Sequence, residues 1–277
     1  MKLLLSTIFI LFLCCFMYAQ KGVDTTQLDL KSFANTLAGN ETNNYKKAEN
    51  VLHWLSNHFD WLYTDYEKRT VKEIMVRGGG NCFELSVVFI ALIKELGITY
   101  RPIAEINLHI ETPRRQVDAA RMVKEKGNRM SVFGFNHNDH RWIEVYNDDT
   151  KEWVPADPTM GLIGLECWLK ARAWYGPRKT INQEFSDDMI VPIGIFVVGD
   201  KGKMIENRTS FYVVESLDNL YQNKLSRSVY WHAWKSGISS ISEKCRQAFM
   251  GEINLHESQN EIKNLGEIYR KMKIENQ

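Results

Sequence analysis

Residues 83–96, FELSVVFIALIKEL, are apolar on nearly every side of a helix. Such a helix has no face to offer water and has to be covered all round. The rest of the chain must therefore supply packing elements on each of its flanks. Gly97 is a good stop for it. Ahead of it, RGGGNCFELS places Cys82 between three glycines and the apolar run, at the head of the helix.

The covering elements can be read from periodicity. Ala48, Val51, Leu52, Leu55 and Phe59 recur at helical spacing, which predicts an amphipathic helix from Tyr45 to Phe59. TVKEIMV reads as a short second helix ended by the glycines. ITYRPIAEINL alternates as a strand, and the polar stretch 111–130 reads as a surface helix or insertion. HRWIEVYNDDTKEWVPAD is two β runs around a turn, a hairpin. Its acidic turn lacks the ligand spacing of a calcium loop and reads as a solvated turn. Beyond Asp157, ECWLKARAWYG looks helical, and residues 189–216 look like two strands joined by a polar loop. Residues 216–224, 229–249 and 256–273 look helical. In the last, Ile262, Leu265, Ile268, Tyr269 and Met272 form one docking stripe. The expected class is α+β, a buried helix carrying Cys82 on an antiparallel sheet, with a C-terminal α/β extension.

With 44% hydrophobic and 25% charged residues in 277, the composition is that of an ordinary globular protein. A formal charge of +1 gives no electrostatic case for nucleic acid as a partner. The N-terminus differs from the rest. Lys2, the run LLLSTIFILFLCCF and then MYAQ have the pattern of a secretory signal cut after Ala19. The run is short for a membrane span, so none is expected once the signal is removed; an uncleaved anchor is the alternative. Lipidation fits less well, because Cys14 follows Phe12 and Leu13 rather than small residues. The expected organisation is a signal at 1–19, a lead-in at 20–44, a core at 45–165 and an extension at 166–277, in a secreted or periplasmic protein. Export would leave Cys82, Cys167 and Cys245, an odd number that implies a free thiol. Pairing of Cys167 with Cys245 and three unpaired thiols both stay open.

A thiol is a poor nucleophile until it loses its proton. A helix N-terminus, a nearby imidazole and a group that orients the imidazole can each help. Cys82 meets the first condition. His140 opens the run HRWIEVY, and Asp157 ends the next run in VPADPT, where Pro158 biases it to extended backbone. Adjacent antiparallel strands can bring two such residues side by side. The bland alternative for Cys82 is a buried structural cysteine. His137 and His140 in HNDH suggest a metal pair, yet no third and fourth ligand is evident, and neither metal nor cofactor is expected. His109 reads as structural or exposed. Core packing is the favoured role for Trp142 and Trp153, with a wall of the acyl site as the alternative for Trp142. Asn81 reads as a helix cap or a substrate-positioning residue, and Glu84 as a first-turn residue favoured by the helix dipole.

The words around these residues carry more than their spacing. GGNCFELSVVFIALIKELGI, HRWIEVY and WVPADPT, in that order, resemble the transglutaminase-like superfamily, whose fold is papain-like. AENVLHWLSNHFDW looks like that family's leading helix, so the resemblance covers roughly residues 45–165. It implies a Cys82–His140–Asp157 triad that attacks an amide of a protein or peptide and passes through a thioester. Gly80, Asn81 and Trp142 would lie at the substrate or the oxyanion. Water would make the enzyme an amidase or protease; an amine would make it a transglutaminase. The competing expectation is a peptide- or glycan-binding protein that keeps the fold without turnover.

Overall fold

The structure is a computed structural model that describes residues 22–109, 112–126, 138–173, 191–199, 202–221 and 224–276. The N-terminal run and the segments 127–137, which holds His137, and 174–190 lie outside these residues.

Two helices open the described chain, α1 (Leu30–Ala38) and α2 (Asn44–His58), capped by the Asp29 and Asn43 side chains. The first falls in the stretch read as a polar lead-in, and only Ala34 and Ala38 of it are fully buried. The two-residue strand β1 (Asp60–Trp61) precedes α3 (Val71–Arg77), whose capping box joins Thr70 and Glu73. Gly78 ends α3 with φ 68°, and β2 (Gly79–Gly80) then pairs in parallel with β1. Next comes the buried helix α4 (Cys82–Glu95), followed by β3 (Tyr100–Asn107) and α5 (Thr112–Lys126). The hairpin is β4 (His140–Asn147) and β5 (Glu152–Asp157), and β6 (Leu162–Ile163) and α6 (Leu165–Ala173) follow it. The chain continues through β7 (Pro192–Val198) and β8 (Met204–Asn207). A π-helical turn (Phe211–Glu215) leads into α7 (Ser216–Leu220), and α8 (Val229–Phe249) and α9 (Gln259–Asn276) complete the fold. FYVVES is thus helical where a strand was expected. Its β-branched and aromatic residues serve packing, with Tyr212 and Val213 buried.

Six strands form one antiparallel sheet in the order β6-β5-β4-β3-β7-β8. Strand alternation sorts the side chains of β4 between two cores. Ile143 and Val145 join α1, α2, α3 and α4 on one face. Trp142 joins α6, α8 and α9 on the other. The architecture is α+β, with helix layers on both faces of the sheet.

α4 is covered as its composition requires. Leu85, Val88, Phe89, Leu92 and Ile93 are buried at 2% exposure or less, packed by α1, α2, α3 and the sheet. This packing fixes where the first turn of α4 emerges, beside the start of β4 and the end of β5.

Candidate active site

The first turn of α4 is tightly accounted for. The Asn81 side chain accepts from the backbone N–H of Phe83 and of Glu84, each at 3.0 Å, and so acts as the cap. Glu84 closes the box by accepting from the Asn81 N–H at 3.1 Å. Arg69 and Arg77 hold the Glu84 carboxylate at 2.8 and 3.4 Å, and Asp65 pairs with Arg69 in turn. The Leu85 N–H donates to the Asn81 carbonyl. Among the described residues the backbone N–H of Cys82 is left without a partner. A helix start leaves such donors for a ligand.

The glycines ahead of Cys82 answer to the backbone rather than to a substrate. A Cβ on Gly79 would stand 2.4 Å from the Asp60 carbonyl, and one on Gly80 would stand 2.6 Å from the Glu84 Cβ. β1 and the capping carboxylate approach so closely that only glycine fits at either position.

His140 and Asp157 meet across the hairpin. His140 Nε2 lies 2.8 Å from Asp157 Oδ2. Asp157 is fully buried, and its other oxygen accepts from the backbone N–H of Thr159 and Met160 at 3.1 and 3.3 Å. These bonds fix the carboxylate, and the carboxylate fixes the imidazole. With Nε2 engaged, Nδ1 is the ring nitrogen left for a thiol. Cys82 is 5% exposed and lies close enough to His140 to raise the pKa of the imidazole. Burial alone would drive His140 towards the neutral ring. The Asp157 charge and hydrogen bond, and then those of Cys82, outweigh it and push the pKa up to about 10. Asp157 and Cys82, far apart in the sequence, are thus both neighbours of one imidazole.

Trp142 is elsewhere. At 1% exposure it stacks with Trp168 and Tyr212 in the core on the far side of the sheet, and no substrate can reach it. The wall alternative for this residue fails because Trp168, Tyr212 and the Glu105 carboxylate close it in. Trp153 meets Tyr146 edge to face and lies under Arg101. Gly80 is buried against β1 and Glu84, and Asn81 is 5% exposed with its oxygen turned into the helix.

Several neighbours of the line had no motif to announce them. The Trp142 indole donates to Glu105 Oε2 at 2.9 Å, and Arg172 pairs with the other oxygen of Glu105. Arg172 also reaches to 3.9 Å from Asp157 Oδ2. Glu105 is a lone carboxylate in the apolar run of β3, and Arg172 a lone cation on the buried face of α6; opposite charges in two apolar elements were the available signal. Asp139, just before His140, accepts from the Asn107 N–H at 2.8 Å and locks β3 to the start of β4.

Cys167 and Cys245 are not joined in a disulfide. The Cys167 thiol donates to the Ile163 carbonyl, and Cys245 is buried in the core, where burial pushes its pKa far up. Among the described residues no three His, Cys, Asp or Glu side chains are grouped to hold a metal, and no helix is long and apolar enough to cross a membrane. An open cleft of about 810 Å³, lined by Tyr45, Trp153, Leu165, Arg208 and Phe211, lies at the turn end of the hairpin, away from His140 and Asp157.

Similarity to solved structures is low. A "putative cysteine protease" from Cytophaga hutchinsonii is 17% identical with a TM-score of 0.33, over 52% of this chain and 48% of its own. A Rad4–Rad23 complex bound to a 6-4 photoproduct UV lesion is 10% identical with a TM-score of 0.34, over 87% and 54%. Rad4–Rad23 crosslinked to undamaged DNA is 11% identical with a TM-score of 0.34, over 94% and 50%. The chain spans about half the length of each, and likeness at these scores says nothing of activity. No curated protein matches the chain. The family model of the transglutaminase-like superfamily matches residues 31–158, the stretch that contains Cys82, His140 and Asp157, and it is to this superfamily that that part of the chain belongs.

Proposed function

We propose that the protein is an exported cysteine enzyme of acyl transfer, acting on an amide of a protein or peptide. The observation that carries this reading is the hydrogen bond of His140 to buried Asp157, beside a Cys82 that heads a helix and whose own N–H has no partner among the described residues. Cys82 Sγ attacks the amide carbonyl carbon, and the thiol proton resides on His140. The Cys82 N–H then points at the oxygen that gains charge. As the C–N bond breaks, His140 gives its proton to the leaving nitrogen, and an acyl thioester to Cys82 remains. Asp157 keeps the imidazole oriented throughout. Water or an amine then attacks the thioester and regenerates the thiol. The apolar run at 1–19 supports export as part of the same reading.

Iodoacetamide tests the nucleophile directly. Cys82 in the folded protein should be alkylated faster than in the denatured chain, and His140→Ala should slow it by about tenfold or more. Equal rates in the two proteins would remove the Cys–His pair and leave a binding protein with this fold. Glutamine-bearing peptides incubated with and without an added amine, then weighed, separate transfer from hydrolysis. An intact Met1 in the mature protein would refute cleavage of the signal.

A further inference from the structure

Arg141 follows His140 on β4, and the proposed chemistry does not use it. Alternation sends its side chain to the face of Ile143 and Val145, which is the α4 face. β4 is tied to α4 at this point, because Ser86 Oγ donates to the Arg141 carbonyl at 3.2 Å. The guanidinium spends one donor, Nε, on Asn138 Oδ1 at 3.1 Å. Among the described residues its other nitrogens make no hydrogen bond and no ion pair. The residue is only partly covered by protein.

Other inward-lying arginines of this chain behave differently. Arg69 pairs with Asp65 and Glu84, Arg101 with Glu144 and Glu206, Arg172 with Glu105, and Arg208 with Glu144 and Glu206. A guanidinium cannot shed its charge, and a crowded one without a counter-ion is costly. Crowding draws the pKa of Arg141 down to about 10, and the charge that opposes this is that of Cys82. Among the described residues around the site, Asp157 is matched with His140, Glu105 with Arg172, and Glu84 with Arg69 and Arg77. Among the described charged residues around the site, Arg141 stands without a carboxylate, near enough to Cys82 to feel its charge and only partly covered.

We infer that Arg141 binds a carboxylate of the substrate beside the acyl site, so that the preferred substrate is an acidic peptide with a carboxylate close to the scissile amide. This rests on Cys82 being the nucleophile. A guanidinium offers a forked pair of donors that fits a carboxylate. The rival role is support of the sulfur's own charge, and the two roles differ in what an uncharged reagent feels.

Iodoacetate and iodoacetamide make that comparison. In both, the Cys82 sulfur forms a bond to the methylene carbon, the C–I bond breaks and iodide leaves; only the first reagent carries a carboxylate. The rate ratio of iodoacetate to iodoacetamide at Cys82, identified by peptide mapping against Cys167 and Cys245, should exceed that of the denatured protein by about tenfold or more. In Arg141→Met the iodoacetate rate should fall by far more than the iodoacetamide rate, so that the excess vanishes, and Arg141→Lys should keep part of it. A ratio equal to that of denatured protein overturns the inference, as does a parallel fall of both rates in Arg141→Met. Failure of Cys82 to react with either reagent faster than in the denatured chain refutes the nucleophile itself. On the unaltered protein, N-acetylglutamate should slow iodoacetamide labelling where its uncharged diamide does not; equal effects overturn the inference without any variant. In a peptide substrate, Glu→Gln beside the scissile bond and amidation of the C-terminus tell a side-chain carboxylate from a terminal one, and indifference to both counts against it.

Discussion

At the scale of single residues, His140 decides how the protein responds to pH. Its folded pKa is raised from the ordinary 6.5 to about 10, so between those values the folded chain holds a proton that the unfolded chain releases. The contribution is complete below about pH 6.5 and is lost as pH rises through about 10. Within that window, urea unfolding should show stability falling by up to about 1.4 kcal/mol per pH unit from this group. His140→Ala should flatten the slope, and an unchanged slope would mean that the proton is not held there. A second residue pair carries a different prediction. Arg172 and Glu105 are both buried, so Arg172→Met or Glu105→Gln alone strands a charge and should cost about 3–5 kcal/mol. The double variant should recover most of that loss. Additive losses in a thermodynamic cycle would show that the two side chains act separately.

At the scale of elements, the start of α4 is the sensitive point. Gly80→Ala would press a methyl group to 2.6 Å from the Glu84 Cβ and 2.9 Å from its carboxylate, the group that closes the cap. The expected loss is about 1–3 kcal/mol together with slower labelling of Cys82. Gly266→Ala, inside α9 with nothing nearer than 3.7 Å, should be neutral or stabilising by about 0.4–1 kcal/mol. Thermal melts of the two variants give the contrast, and equal melting temperatures would refute it. The same elements show what could be read in advance. The helix from Cys82, the hairpin from His140 to Asp157 and the words that carry the three residues were plain, because periodicity and turn chemistry are local. FYVVES misled because its composition favours a strand while its neighbours in the fold demand a helical turn. The resemblance puts Gly80 at the substrate or the oxyanion, and its neighbour in the fold, Glu84, becomes visible only once the cap of α4 has formed. Arg172 and Glu105 were hidden for a related reason: 67 positions separate them, and nothing local ties a cation on one helix to a carboxylate on a strand.

At the scale of the whole molecule, the sheet does not end where the family match does. β7 is hydrogen-bonded between β3 and β8, and every one of its residues is buried. α8 and α9 pack on the far face of the sheet, with Trp231, Trp234, Phe249 and Tyr269 all at 1% exposure or less. A fragment of residues 22–165 would uncover Trp142, Ile103, Ile106 and the open edge of β3 together. Each large side chain returned to water costs about 1.5–3 kcal/mol, against a total stability of about 5–15 kcal/mol for an ordinary domain. The fragment would also lose Arg172 and leave Glu105 charged without its partner. It should therefore show no cooperative unfolding transition, and its Cys82 should react with iodoacetamide at the rate of a denatured thiol. A fragment that melts cooperatively near the temperature of the longer chain, with Cys82 still fast, would mean that the stretch matched by the family is self-sufficient and that the later strands only decorate it.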